Sequence, residues 1–187
     1  MRLHNLVVTS ALMLSLAAGN ALAQDDKAKK QTEIRSVTQT SLEKFYKAQP
    51  KLKGEVAKAP GYGVFTTYGL SFLVGGAGGK GLVHNNKTKA DTFMEMAQAT
   101  AGVQVGLAES ETLIVFKTEK ALQQFVDKGW EFGGGGAVSA GAGGKSVGAA
   151  GGANAIANAN YYTLTKNGLQ AGVAVAGTKF WKDKDLN

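Results

Sequence analysis

The residues with the most chemical promise lie in two glycine-rich stretches. Gly144-Lys145-Ser146, within "AGAGGKSVG" (residues 140–148), ends as a phosphate-cradling loop ends. Such a loop requires Gly, four residues, then Gly-Lys-Ser/Thr, and it opens a helix whose N-terminus meets the phosphate. Counting back from Gly144 finds Ser139 where the first glycine should stand. The residues that follow, "VGAAGGANAIANAN", include Gly148, Gly151 and Gly152, each costing a helix about 1 kcal/mol. Gly76-Ala77-Gly78-Gly79-Lys80-Gly81 does fit the dinucleotide pattern G-x-G-x-x-G, but Leu82-Val83-His84 after it reads as strand rather than helix. Neither stretch predicts a nucleotide site.

Other reactive side chains are sparse. The chain has no cysteine, and its two histidines are His4 and His84. A multi-ligand zinc site lacks donors. His84 borders Asn85-Asn86-Lys87-Thr88-Lys89, a polar hairpin loop, and reads as a surface residue. Asp183 and Asp185 flank Lys184 in a charged tail and read as solvated rather than as an acid/base pair. No enzyme and no cofactor are expected.

Charge is more informative. The formal net charge is +7, and residues 24–60 hold nine basic against five acidic side chains. A segment of this kind is drawn to anionic surfaces, by about 1 kcal/mol per basic residue beside an acidic membrane. The candidates for such contact are Arg35, Lys44, Lys47, Lys51 and Lys53. Lys80 and Lys145 join them because flanking glycines let backbone N–H groups approach a phosphate; a solvated turn tip is the competing reading for both. A solvated helix face competes for the rest. No nucleic-acid reader motif accompanies the charge.

Positioning these lysines requires a scaffold. Arg2, an apolar run from Leu6 to Ala18, and Ala21-Leu22-Ala23 form the pattern of a secretory signal peptide, cleaved between Ala23 and Gln24. The run is too short to span a bilayer, which takes about 20 residues. The expected location is periplasmic or secreted. Residues 24–32 read as a polar, mobile lead, and 33–187 as one domain that must be held by packing, since there are no disulfides.

Ile34, Val37, Ser41, Phe45 and Ala48 follow helical spacing, and Pro50 stops that helix. Its apolar face could insert into a bilayer or pack on the domain. Lys51–Lys58 predicts a second short helix. From Gly61 the pattern changes to short β-runs: 62–67, 70–74, 81–84, 91–97, 102–107 and 111–117, the last buried on both faces. Residues 118–128 predict a helix capped by Thr118 and ended by Gly129. Tyr161–Thr165 and Leu169–Ala176 flank Lys166-Asn167-Gly168 and predict a hairpin. Several runs pair an apolar face with a face of Gly and Ala, as closely approached or strongly bent strands do. The expected fold is α+β: a strongly curved antiparallel sheet or small barrel covered by the N-terminal helices and one later helix.

In order and spacing these segments resemble the SYLF-domain family. The resemblance rests on "KAPGYGVFTTYGLSFLVGGAGGKGLV", on "ADTFMEMAQATAGVQVGLAESETLIVFKTEKALQQFV", on "KGWEFGGGGAVSAGAGG" and on the closing "YYTLTKNGLQAGVAVAGTKFWKDKDLN". The last two look like its bacterial, exported branch. The resemblance implies a lipid-binding module; eukaryotic members bind phosphoinositides, and some bind actin. An exported chain would meet neither, so the implied partner is an anionic phospholipid or membrane surface of the cell envelope. A structural or protein-interaction module of the envelope is the alternative. No nucleic acid or nucleotide partner is expected.

Overall fold

The computed structural model describes residues 4–67, 71–72, 76–99, 110–132, 137–140, 147–148, 158–166, 168–171 and 178–187. Three helices are present among them: α1 (His4–Ala48), α2 (Lys51–Lys58) and α3 (Glu119–Lys128). Residues 24–32, read as a mobile lead, continue α1. There the Lys27 ammonium donates to the Asn187 carbonyl (2.9 Å) and the Gln31 amide to that of Leu186 (2.7 Å). Pro50 separates α1 from α2 as expected. Its φ of −56° already suits a first turn, and the lost N–H costs nothing at a helix start. Thr118 caps α3 from an extended backbone by accepting the Ala121 N–H at 3.2 Å. Gly129 ends it at φ +67°, in the left-handed region.

The strands are β1 (Gly61–Thr66), β2 (Ser71–Phe72), β3 (Gly76–Asn85), β4 (Asp91–Ala99), β5 (Glu111–Phe116), β6 (Trp130–Phe132), β7 (Ala137–Ala140), β8 (Val147–Gly148), β9 (Ala159–Thr165), β10 (Gly168–Ala171) and β11 (Thr178–Lys182). They form one curled antiparallel sheet in the order β10-β9-β5-β1-β3-β4-β11-β6-β7-β8, with β2 against β3. Among the described residues the sheet is a curled half-barrel, in keeping with the expected strongly curved antiparallel sheet. Two short strands, β7 and β8, lie in the glycine tract. The dinucleotide look-alike is the first part of β3, so no phosphate loop forms there. The runs at 102–107 and 172–176 lie outside the described residues.

Both faces of the sheet are covered. On one face Phe65, Ile114, Phe116, Tyr161, Met94, Met96 and Phe180 meet Leu122 and Phe125 of α3. The Phe125 ring is 4.7 Å from Trp130, 5.3 Å from Phe116 and 5.4 Å from Phe180. On the other face Val64, Leu113, Val115 and Tyr162 meet Leu42 and Phe45 of α1 and Leu52 and Val56 of α2. This double burial explains β5, whose six residues are all buried.

The glycines do not form a separate face in β1 and β3. Gly63 and Gly81 lie beside Phe65 on the α3 side. A Cβ on Gly81 would sit 2.7 Å from the Phe65 ring and still closer to the Val64 carbonyl. The glycine positions are therefore part of the aromatic core: the ring lies across backbone left bare for it.

Candidate functional site

Register sorts the α1-side face into rows. Glu111, Thr66, Lys80, Glu95 and Trp181 lie side by side across β5, β1, β3, β4 and β11. Tyr162, Leu113, Val64, Leu82 and Phe93 form the apolar row beneath it. Asn160, Val115, Tyr62, His84 and Asp91 follow as a second, more polar row. Alternation along each strand makes this inevitable once the register is set.

The upper row is joined by charge. The Lys80 ammonium lies 3.0 Å from Asp183 Oδ2 and 3.3 Å from Glu95 Oε1. Trp181 Nε1 donates to Glu95 Oε2 at 2.7 Å. Asp183 Oδ1 accepts the N–H groups of Asp185 and Leu186 at 3.0 and 3.1 Å. Burial alone would raise the Asp183 pKa, but Lys80 and the two N–H groups hold it below the usual carboxylate range. Burial would likewise lower Lys80, but Asp183 and Glu95 raise it. Lys44 of α1 reaches the row through an ion pair with Glu111.

The lower row is fixed in the same manner. Asp91 accepts from Arg35 Nε at 2.8 Å through Oδ2 and lies 2.8 Å from His84 Nδ1 through Oδ1. These contacts outweigh its burial and lower its pKa. The Arg35 guanidinium stands 4.9 Å over the Phe93 ring. Close by, Glu55 of α2 accepts from the Tyr162 hydroxyl (2.8 Å) and from Asn160. Burial, and then Glu55, push the Tyr162 hydroxyl up to about 12.

The basic candidates therefore divide. Arg35, Lys44 and Lys80 are engaged in ion pairs that bind α1 and the chain's last residues to the sheet. Lys80 is a mid-strand residue rather than a turn tip, because β3 extends back to Gly76. Lys47, Lys51 and Lys53 are exposed at the end of α1 and on α2. Lys145 lies outside the described residues. The apolar face of α1 packs on the domain: Phe45 and Leu42 are buried in the core, while Ile34 packs against Leu82, Phe93 and Leu186. That leaves Phe45 unavailable for insertion into a bilayer.

Two expectations for acid/base residues need correction. Asp183 is buried rather than solvated, because Leu186 docks beneath α1 and brings the preceding turn with it. His84 is three-quarters covered, with Tyr62 5.4 Å away and Asp91 in contact. The Asp183 partnership was not detectable by local spacing, since Asp183 is 103 residues from Lys80. The His84–Asp91 pair spans a seven-residue hairpin and was within reach of the hairpin prediction. Among the described residues no group of His, Cys, Asp and Glu is placed to hold a metal ion, and no helix is long and apolar enough to cross a membrane. Among the described residues the geometry holds charges in fixed pairs and leaves lysines outside.

Comparison with known proteins agrees with the resemblance. Residues 97–187 match the family model described as Ysc84: Las17-binding protein actin regulator. The chain is 31% identical over 160 residues to beta cell expansion factor A of Aeromonas veronii, covering 82% of this chain and 57% of that protein. It is 31% identical over 136 residues to LAS seventeen-binding protein 3 of Saccharomyces cerevisiae, covering 70% of this chain and 30% of the relative. Protein YSC84 of the same yeast is 29% identical over 136 residues, with 70% and 29% covered. The chain thus spans little more than half of the bacterial relative and under a third of the yeast ones. These matches agree on one family: the chain carries a domain of the Ysc84, or SYLF, family.

Proposed function

We propose that the protein is a non-enzymatic module that binds anionic membrane surfaces of the bacterial cell envelope. The observation that carries this reading is the exposure of Lys47, Lys51 and Lys53 on one helical corner while Arg35, Lys44 and Lys80 are held in ion pairs. Exposed ammonium groups on a folded support gain about 1 kcal/mol each beside an anionic bilayer. The contact is electrostatic and superficial, since Leu42 and Phe45 of α1 face the core. Residues 1–23 act as a signal peptide in this proposal, and protein recovered from the periplasm should begin at Gln24.

Sedimentation with vesicles of phosphatidylglycerol and of phosphatidylcholine tests the reading. The protein should co-sediment with the former only, and salt should release it. Lys47→Gln/Lys51→Gln/Lys53→Gln should weaken binding about fivefold per lysine. Equal or absent binding to the two vesicle types would refute the proposal.

A protein-interaction module of the envelope is the second reading. It is supported by relatives named as binding LAS seventeen. A strictly monomeric protein that recovers no partner from envelope extract would count against it.

A further inference from the structure

The two helices and the sheet bring a second set of lysines together, none of them in the segment that first suggested membrane contact except Lys58. The start of β1, the end of β3, the start of β4, the end of β5 and the start of β9 all lie at one end of the sheet. Register shows this directly: Gly61 pairs with Asn85 and Phe116, His84 with Asp91, and Phe116 with Ala159. The end of α2, the connections at that end and the first turn of α3 carry Lys58, Lys87, Lys89, Lys117 and Lys120, all exposed. Of the acidic residues at this end, Asp91 is held by Arg35 and His84, while Glu119 lies 3.7 Å from Lys87 and is more than half exposed.

This end is built rather than loose. The Asn86 side chain donates to the carbonyls of Val56 and Ala59 at 2.8 Å, tying the β3–β4 hairpin to the end of α2. Its backbone N–H donates to the Pro60 carbonyl at 2.9 Å. Asn85 Oδ1 accepts the N–H groups of Lys87 and Thr88, each at 2.9 Å, and Lys89 takes a left-handed φ of 60° to complete the turn. The Lys117 N–H donates to the Asn158 carbonyl at 2.8 Å. Lysines on such anchored turns hold their spacing without further backbone ordering on contact.

On α2 the spacing of Lys51, Gly54 and Lys58 puts them on one outward flank, opposite buried Leu52 and Val56. Space beyond Gly54 is open. The exposed corner at Lys47 and Lys51 therefore continues along α2 to Lys58, and on through the hairpin to Lys117 and Lys120. We infer that this continuous basic band, and not the length of α1 before Lys47, is the face the domain lays on an anionic bilayer, with the β3–β4 hairpin touching the headgroup phosphates. The inference rests on the membrane-binding reading above and gives it an orientation. The chemistry favours a bilayer over other polyanions. The band offers lysine point charges rather than bidentate arginine forks, and none of the residues in these connections is aromatic, as stacked bases or a protein hot spot would require.

The test uses the same vesicles with Lys87→Gln/Lys89→Gln/Lys117→Gln/Lys120→Gln. Binding to phosphatidylglycerol vesicles should fall by at least tenfold and its salt dependence should flatten. All four side chains are exposed, so the thermal transition should stay in place. As the chain has no cysteine, Thr88→Cys and Glu131→Cys each accept a single fluorophore, at the hairpin and on β6. Vesicles should shield the label at 88 from iodide quenching and leave the label at 131 accessible. Two results overturn the inference while leaving membrane binding intact: full affinity in the quadruple variant, or shielding at 131 equal to that at 88. Failure of the unaltered protein to bind would instead refute the membrane-binding reading itself. Loss of binding to a short nucleic acid or an acidic protein, with vesicle affinity unchanged, would assign the band to that partner and overturn the bilayer.

Discussion

Lys80→Met removes the charge that joins β3, β4 and the residues after β11 while keeping an unbranched apolar stem. In the native fold the ammonium is shared between Asp183 at 3.0 Å and Glu95 at 3.3 Å. Removing one partner of a fully buried pair costs about 3–5 kcal/mol. Here the Asp183 side chain is 5% exposed but Lys80 is 50% exposed, so solvent screens much of the interaction. Asp183 also retains two backbone N–H donors. These facts reduce the expected loss to about 1–2 kcal/mol at pH 7, or about 2–8 °C in Tm for a domain of this size. The sign with pH follows from linkage. Asp183 is depressed below 3.8, so its stabilisation is present above that value and disappears as pH falls through the lower folded value. Urea denaturation of both proteins at pH 7 and near pH 3 should show a gap that narrows on acidification. An equal gap at both pH values would mean that stem packing, not charge, carries the effect. No gap at pH 7 would refute the proposed lock altogether. Because Lys80 is assigned to the lock, the variant should bind anionic vesicles as the unaltered protein does, within about twofold, well inside the fivefold expected for one lysine of the band.

Two other perturbations probe the α3 face. Gly81→Ala places a methyl group against the Phe65 ring and the Val64 carbonyl; it should destabilise by at least about 3 kcal/mol in urea titration, the upper range for overpacking, since backbone must move. Phe125→Ala vacates the position where Phe65, Phe116, Trp130 and Phe180 converge and should cost about 3–5 kcal/mol by the same measurement, with loss of near-ultraviolet circular dichroism.

Local signals in the chain were strong where a single element decides its own limits. Pro50 between two helical runs, Thr118 and Gly129 around α3, and the polar hairpin at 85–89 each specify a boundary by backbone chemistry, and the structure places all three there. The uniform burial of β5 was legible because Leu113-Ile114-Val115-Phe116 has no polar position to turn outward. What could not be read was partnership across distance. Thr178–Lys182 has a mixed pattern that suggests a charged tail, yet β4 and β6 supply neighbours on both sides and make it a central strand. Lys80 between glycines suggests a turn until β4 and Asp183 supply its counter-charges. Likewise, the apolar stripe of α1 is compatible with lipid or with a sheet, and only the valines and leucine that the sheet presents to it, buried in the folded domain, decide between them.

The seat of β11 between β4 and β6 has a consequence for how the molecule is made. Trp181 meets Glu95 from 86 positions away in the sequence, and among the described strands β6 reaches β4 through β11. A growing polypeptide can form α2, the β1–β3–β4 meander and α3 early, but β4 and β6 have no strand between them until residues 178–182 arrive. Pairings this far apart in sequence make for slow closure. β11 therefore acts as a keystone: among the described strands, β6, β7 and β8 are joined to the rest of the sheet through it, so its arrival couples the two parts into one unit.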